Sequence, residues 1–188
     1  MKQILLIGDS IRMGYCEYVK DLLKDRAEVI YPSENCRSSQ NIIINLLNWS
    51  HLCDKEKVGI IHFNCGQWDA AHFNCDLTPL TSLSEYRKNL CAIVQQMKRI
   101  FPNAKLVFAT TTPMNPAYPQ TINPRTTEDI IAYNDVAKQV MEEHGIAIND
   151  LFLFAENWGP EHYIDYCHMT EISYKYLGKQ VSDFIKSL

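Results

Sequence analysis

Short apolar runs alternate with longer stretches of helical periodicity along most of the chain. Continuous apolar runs are typical of buried strands, whereas apolar residues spaced three and four apart are typical of amphipathic helices. The runs predict strands over residues 3–8, 27–31, 58–64, 105–111 and 146–149. The periodic stretches predict helices over residues 11–26, 39–49, 83–101, 127–144 and 170–185. On the first helix we expect one buried face, made of Met13, Cys16, Val19, Leu22 and Leu23.

Five strands that are each followed by a helix predict one α/β domain over residues 1–188, because no linker or internal repeat divides the chain. Crossovers between parallel strands are right-handed, so helices cover both faces of the sheet. The predicted fold class is a three-layer α/β/α architecture with a five-stranded parallel sheet in the flavodoxin-like order 2-1-3-4-5. Ligands of such sheets bind at the carboxyl ends of the strands, near the first strand.

Composition and charge narrow the classes of partner. Charged residues make up 21% of the chain and the net charge is -4, with Lys and Arg scattered rather than clustered. This distribution offers no docking site to a nucleic acid or an anionic membrane. The seven cysteines include no C-x-x-C pair, and no run approaches the ~20 apolar residues that span a bilayer. We therefore expect reduced thiols, a cytoplasmic location, and neither a nucleic-acid nor a membrane partner.

The junction of the first strand and first helix carries a candidate nucleophile. The segment reads Gly8-Asp9-Ser10. A serine here is exposed above the edge of the sheet, and its N–H lies at a helix N-terminus, where developing negative charge is stabilised. Asp and Ser are also common helix N-caps, and this alternative stays open at this point.

A candidate general base lies before the last predicted helix, in the segment Asp165-Tyr166-Cys167-His168. Serine is a weak nucleophile that needs a base, and the base needs a partner that fixes its tautomer. Asp165 and His168 supply both groups. The same spacing recurs at Asp69 and His72, but the position of the later pair before the final helix lets it fold back beside the first strand.

These two motifs resemble blocks I and V of the SGNH (GDSL-type) hydrolase superfamily, and the match spans nearly the whole chain. The resemblance implies a flavodoxin-like fold, no metal or organic cofactor, and hydrolysis of small-molecule esters or thioesters through an acyl-enzyme intermediate. By position it implies that Ser10 is the nucleophile, that His168 is first general base and then general acid, and that Asp165 orients His168.

The middle blocks depart from the family pattern. Where the family has G-x-N-D, with an Asn amide that donates to the oxyanion, this chain reads Gly66-Gln67-Trp68-Asp69. The indole N–H of Trp68 is a donor, and Asn64 or Gln67 offers an amide instead. The alternative is that Trp68 is an aromatic wall of the pocket.

The second block normally offers a glycine N–H, but residues 34–39 contain no glycine. Arg37 or Ser38 can present the main-chain donor if the loop tolerates a side chain there. Loss of one oxyanion donor costs ~10²- to 10³-fold in rate, so these departures predict a slow or selective enzyme. The predicted oxyanion and substrate-binding residues are Asp9, Ser10, Arg37, Ser38, Gly66 and Trp68.

Two further segments are candidates for substrate specificity. The loop over residues 111–125 is stiffened by Pro113, Pro116, Pro119 and Pro124. The aromatic residues before the second motif either line an acyl or sugar pocket or cover the core; they are Phe152, Phe154, Trp158, Tyr163 and Tyr166. The remaining histidines share no metal-ligand spacing and are expected on the surface or in the core; they are His51, His62, His72, His144 and His162.

Two functions of different class follow. The first is an esterase acting on a short acyl group, with an acylated carbohydrate as the expected substrate by resemblance. The second is a catalytically silent binding module that holds an anionic or acylated ligand at the helix N-terminus beside Ser10. A nucleotide-binding domain is disfavoured because the chain has neither a G-x-G-x-x-G nor a Walker motif.

Overall fold

A computed structural model describes residues 2–73, 78–118 and 123–188. Its sheet has five parallel strands in the order β2-β1-β3-β4-β5, which confirms the predicted fold class. The strands are β1 (Lys2–Ile7), β2 (Ala27–Ile30), β3 (Val58–Phe63), β4 (Lys105–Ala109) and β5 (Ala147–Asn149). Most strands end one or two residues before the predicted boundary, because the residues that follow turn into the loops at the carboxyl edge.

The helices are α1 (Ser10–Leu23), α2 (Ser39–Trp49), α3 (Leu83–Ile100), α4 (Thr127–Glu143), α5 (Leu151–Ala155) and α6 (Glu171–Lys186). The periodicity did not predict α5, which has only 5 residues and is too short to show a helical repeat. None of the helices in the described ranges is long and apolar enough to cross a membrane.

Alternate residues of β1 point into two separate cores, as expected for a strand buried on both faces. Leu5 and Ile7 pack with α2, α3 and α4 on one face. Ile4 and Leu6 pack with α1 and α6 on the other. Because β1 lies between β2 and β3, the residues that follow it lie at the carboxyl edge between the loops after those two strands.

The predicted buried face of α1 is partly wrong. Cys16, Val19 and Leu23 are buried, but Met13 and Leu22 are 40% and 43% exposed. The buried face is rotated because two polar residues, Arg12 and Tyr15, occupy it instead. Arg12 is stabilised there because it donates hydrogen bonds to backbone carbonyls. These acceptors cannot be predicted from the hydropathy of the sequence.

Glycines allow α1 and α6 to approach closely. A Cβ on Gly178 of α6 would lie 2.6 Å from the Cβ of Tyr18 on α1. A Cβ on Gly14 of α1 would lie 2.2 Å from the ring of Tyr174 on α6. Such distances are well inside van der Waals contact, so the spacing of this helix pair depends on the missing side chains. Ser10 is the first residue of α1, and His168 lies in the loop just before α6.

Candidate active site

Loops from across the sheet converge at its carboxyl edge. Gly8 follows β1, and its carbonyl accepts from the N–H of Cys36 in the loop after β2, at 3.1 Å. Arg12 connects the same loops, because its guanidinium donates to the carbonyls of Gly8, Pro32 and Glu34. The loops after β1 and β2 are therefore joined beneath the site.

Ser10, His168 and Asp165 form a continuous hydrogen-bonded chain. Ser10 Oγ lies 2.8 Å from His168 Nε2. His168 Nδ1 lies 2.7 Å from Asp165 Oδ2. Since a carboxylate accepts, Nδ1 carries the proton, and this tautomer leaves the lone pair of Nε2 free to accept the hydroxyl of Ser10. The arrangement is that of a nucleophile, a base and the group that orients the base.

Asp165 also folds the loop that carries His168. Its Oδ1 accepts from the N–H groups of Cys167 and His168, at 2.9 and 2.7 Å. Burial raises the pKa of Asp165, but these two hydrogen bonds and that of the His168 ring outweigh it and hold the pKa below its usual value. Asp165 therefore stays ionised and aligned toward the imidazole.

Asn115, in the loop after β4, clamps the same segment from outside. Its side-chain amide donates to the carbonyl of Asp165 at 3.0 Å, and its N–H donates to the carbonyl of Tyr166 at 2.9 Å. Sequence reasoning missed Asn115, because an Asn in a proline-rich loop carries no local signal of a partner 50 residues away.

Asp9 is the N-cap of α1, and Ser10 is the first residue of that helix. The Oδ1 atom of Asp9 accepts from the N–H of Ile11 at 3.0 Å, whereas its Oδ2 atom is buried without a partner among the described residues. Burial raises the pKa of Asp9. The capping alternative therefore holds for Asp9, while the hydroxyl of Ser10 is directed to His168.

In the loop after β2, which has no glycine, Arg37 adopts the strained left-handed backbone conformation. Arg37 has a φ of 55°, in the left-handed region that side chains disfavour. Its N–H donates to Asn35 Oδ1 at 2.8 Å, so this donor is already engaged. Ser38 caps α2 through its hydroxyl, and its own N–H has no acceptor within the part of the chain that the structure describes.

Asp69 holds this loop from the opposite side. Its carboxylate accepts from the N–H of Ser39 at 3.1 and 3.0 Å, and from the Ser39 hydroxyl at 2.5 Å. Burial raises its pKa to about 6, against the effect of these hydrogen bonds. Gly66 precedes it with a φ of 143°, and a Cβ there would lie 2.3 Å from Thr111 Oγ1. Gly66 is thus required by the backbone.

Trp68 forms part of an aromatic surface beside the loop of Arg37. Its ring stacks on Phe73, with centroids 5.6 Å apart and 26° between planes. The guanidinium of Arg37 lies 5.6 Å from the centroid of the indole. The indole N–H forms no hydrogen bond with a described residue and so stays available as a donor.

The two amides considered as substitutes for the missing Asn differ in their surroundings. Gln67 donates to the carbonyl of Thr112 at 3.1 Å and accepts from Arg125 Nε at 2.7 Å, so both of its ends are engaged. Asn64 is 5% exposed, and a Cβ on Gly8 would lie 1.9 Å from its Oδ1 atom. Asn64 therefore packs tightly against the backbone before Ser10.

The aromatic candidates separate into three groups. Tyr166 lines a cavity beside the loop that carries His168, whereas Phe152 and Tyr163 pack against the core. Trp158 stacks on His162 at 4.7 Å between centroids, and Phe154 packs edge-on against Trp158. The loop over residues 111–125 contributes to the same cavity as Tyr166, but Pro119 lies outside the described residues.

Three possible metal-donor side chains cluster in the loop that carries His168. Donor atoms of Asp165, Cys167 and His168 lie within 4.8 Å of one another. Burial raises the pKa of the Cys167 thiol to about 12, so the free thiol is protonated at neutral pH. His62 is fully buried, and burial lowers its pKa to about 3. The six described cysteines are free thiols, and Cys75 lies outside the described ranges.

Comparison with known proteins gives consistent matches. The model of the GDSL-like Lipase/Acylhydrolase family matches residues 68–176, more than half of the chain. A GDSL esterase/lipase of Arabidopsis thaliana is 24% identical over 207 aligned residues, which cover 98% of this chain and 86% of that protein. The lipase/acylhydrolase of Enterococcus faecalis has a TM-score of 0.77 at 19% identity, with 100% of this chain and 96% of that chain covered. The carbohydrate acetylesterase Est24 of Sinorhizobium meliloti has a TM-score of 0.75 at 13% identity, with 100% and 99% covered.

A flavodoxin-like sheet with a Ser, a His and an Asp joined at its carboxyl edge is the architecture of a class of ester hydrolases. The match to the family model places this chain in that class. It belongs to the GDSL-like lipase/acylhydrolase family and is a hydrolase of ester bonds.

Proposed function

We propose that this hydrolase is a serine esterase in which Ser10, His168 and Asp165 form the catalytic triad. The observation that carries the proposal is the pair of hydrogen bonds, 2.8 Å from Ser10 Oγ to His168 Nε2 and 2.7 Å from His168 Nδ1 to Asp165 Oδ2. An ordinary N-capping serine has no need of a histidine whose tautomer is fixed in this way.

In the proposed reaction Ser10 Oγ attacks the ester carbonyl while His168 Nε2 takes its proton. The tetrahedral intermediate collapses, the bond to the alcohol breaks, and His168 returns the proton to the departing oxygen. A water molecule, deprotonated by His168, then attacks the acyl-Ser10 ester; the bond between Ser10 Oγ and the acyl carbon breaks, His168 returns the proton to Ser10 Oγ, and the carboxylic acid is released. Asp165 stabilises the imidazolium at both stages, and its low pKa keeps it ionised for that role.

Three donors are proposed for the oxyanion: the N–H of Ser10, the N–H of Ser38 and the indole N–H of Trp68. Ser38 is preferred to Arg37 because Arg37 already donates to Asn35. Trp68 is preferred to Gln67 because the amide of Gln67 is engaged at both ends. In this proposal G-x-W-D is a variant of the family's third block.

A short acyl group on a carbohydrate is the proposed substrate. Two structural neighbours with TM-scores of 0.76 and 0.75 carry the names acetyl xylan esterase and carbohydrate acetylesterase. The stacked rings of Trp68 and Phe73 add a flat surface of the kind on which sugar rings bind. Release of acetate from acetylated xylan, compared with cleavage of para-nitrophenyl esters of increasing chain length, tests this assignment. Faster cleavage of long-chain esters would contradict it.

The triad itself is tested with a fluorophosphonate. Intact-protein mass spectrometry should show stoichiometric covalent addition to wild-type protein and none to Ser10→Ala. Ser33→Ala is the matched control, because Ser33 is an exposed serine in the loop after β2, and it should label as wild type does.

The alternative is the binding module, which the unusual Trp68 favours. It predicts folded wild-type protein that stays unlabelled and cleaves no ester. That result would overturn the proposed mechanism, since an activated Ser10 must react with a fluorophosphonate.

A further inference from the structure

Arg125 is a buried cation without an ion pair among the described residues, although its charge also acts on the buried carboxyl group of Asp9 and opposes the rise in the pKa of that group. It is 6% exposed, and no described carboxylate forms an ion pair with it. Its Nε donates to Gln67 Oε1 at 2.7 Å, one Nη to the carbonyl of Asn123 at 3.0 Å, and the other to Cys167 Sγ at 3.6 Å. A guanidinium has five N–H groups, so two of them have no acceptor among the described residues.

The other buried arginine near the site is different. Arg12 donates to the carbonyls of Gly8, Pro32 and Glu34, and these carbonyls come from the two loops that it joins. Arg12 therefore has a structural use that accounts for its burial. Burial of a charge is costly unless partners compensate it, and the hydrogen-bond partners of Arg125 are neutral. The buried Asp9 carboxyl group offsets this cost only in part, because burial raises its pKa and so disfavours its negative charge.

Arg125 lines a cavity of about 440 Å³ next to the catalytic loop. The cavity is also lined by Tyr166, whose ring lies 5.2 Å from the guanidinium and 6.0 Å from the ring of His168. Asn115, which clamps Asp165, lines it too. A ligand in this cavity therefore touches the loop that carries the proposed base.

The charges that face the cavity favour an anion. Glu128 is the acidic residue that lines it, but Glu128 is exposed, and water screens its charge. Arg125 is buried, where a charge interacts more strongly with a ligand. A planar guanidinium with two spare N–H groups matches a carboxylate, which accepts two such bonds side by side.

We infer that Arg125 binds a carboxylate of the substrate, so that the preferred ester carries an acidic group on its alcohol or acyl part. This inference rests on the proposed function and names the substrate class of the same site. It predicts that acidic esters bind more tightly than neutral esters of the same shape.

Calorimetric titration of Ser10→Ala protein tests the inference without turnover. The ligands are para-acetoxybenzoate and its neutral methyl ester, which differ in one charged group. We expect the acid to bind at least about 10-fold more tightly, the order of a charge-assisted pair. Equal affinity, or tighter binding of the methyl ester, would overturn the inference.

Variants assign the effect to Arg125. In the Ser10→Ala background, Arg125→Gln should abolish the preference for the acid. Arg87→Gln should retain it, because Arg87 is a partly exposed arginine paired with Glu143, and its loss changes the net charge equally. Retention of the preference in Arg125→Gln would contradict the assignment.

If Arg125→Gln fails to fold, Arg125→Lys replaces it. Lysine keeps the positive charge but lacks the two parallel N–H donors of the guanidinium, so the preference for the acid should fall several-fold. An unchanged preference would contradict the inference. Fluorophosphonate labelling of wild-type protein separates the two proposals: labelled Ser10 with no preference for the acid leaves the esterase standing and removes the carboxylate site.

Discussion

Asp69 combines burial with three hydrogen bonds from one residue, Ser39. Burial dominates and raises its pKa to about 6. The native state thus binds a proton at Asp69 more tightly than the unfolded chain, whose Asp titrates near about 4. Stability contributed by this group is fully present below about pH 4 and is lost as the pH rises to about 6, because the charge becomes costly to bury.

Asp69→Asn removes this titration. The unfolding free energy of wild type relative to the variant should fall by about 2–3 kcal/mol between about pH 4 and about pH 6.5, whatever constant cost the amide adds. Denaturant unfolding at a series of pH values measures the difference. Two parallel curves would show that Asp69 has an ordinary pKa.

Trp68 offers the sharpest test of the oxyanion site. Trp68→Phe keeps an aromatic ring but removes the N–H, and kcat on an aryl ester should fall by about 10²-fold. Trp68→Asn restores an amide donor and should be faster than Trp68→Phe. Trp158→Phe is the control, since Trp158 stacks on His162 outside the proposed machinery. An unchanged kcat in Trp68→Phe would show that Trp68 does not donate to the oxyanion and would favour its alternative role as an aromatic wall of the pocket.

At this scale the sequence predicted residues that carry their own chemistry and missed those that act through partners. Ser10, Asp165 and His168 were predicted from short motifs, and the structure brings their side chains into one hydrogen-bonded chain. Arg125 and Asn115 were missed, because Arg125 meets Gln67 across 58 residues and Asn115 meets Asp165 across 50. Long-range hydrogen bonds leave no periodicity in a sequence.

Helices α1 and α6 set the distance between the proposed nucleophile and its base. Gly178→Ala places a methyl 2.6 Å from the Cβ of Tyr18 and must push the pair apart. We expect a loss of about 1–3 kcal/mol in stability and slower fluorophosphonate labelling, because Ser10 and His168 separate. Differential scanning calorimetry and labelling kinetics measure the two effects.

Gly59→Ala is the matched control on β3. A Cβ there meets only Lys2 Cδ at 3.6 Å, an ordinary contact, so both quantities should stay near wild type. Equal behaviour of the two variants would show that the helix spacing is not critical.

The helices were predicted correctly where a long stretch shows apolar periodicity. The prediction failed where a polar side chain is buried, as in α1, or where the helix is very short, as in α5. The prediction for α2 coincides with Ser39–Trp49, whose N-cap Ser38 marks its start. The face of α1 was wrong at Met13 and Leu22 because Arg12 is buried among carbonyls. Hydropathy assigns arginine to solvent and has no means of finding those acceptors.

At the scale of the whole molecule, two cores on opposite faces of one sheet stabilise the chain, and no disulfide joins the described residues. The six described cysteines are free, and Cys36, Cys65 and Cys167 are buried. We expect the melting temperature to be the same with and without dithiothreitol, measured by calorimetry. A lower melting temperature in the reductant would reveal a disulfide that contributes to stability.

The order of the strands was predictable as a whole, because right-handed crossovers allow few arrangements of five β-α units. The loop over residues 111–125 and Tyr166 were predicted as candidates for a substrate pocket, and both line one cavity. The shape of this cavity was not predictable, because it depends on how the loop after β4 packs against a segment 50 residues further on. Topology follows from pattern, whereas the shape of a loop follows from contacts that form only in the folded chain.

Ser10 and His168 lie 158 residues apart in sequence, although their side chains meet. During synthesis on the ribosome, the serine therefore emerges long before the imidazole that is proposed to activate it. A nascent chain released early would carry the hydroxyl but not the base, and would be inert toward esters. In this enzyme hydrolytic competence would thus report that translation has passed His168 and that the two ends of the fold have met.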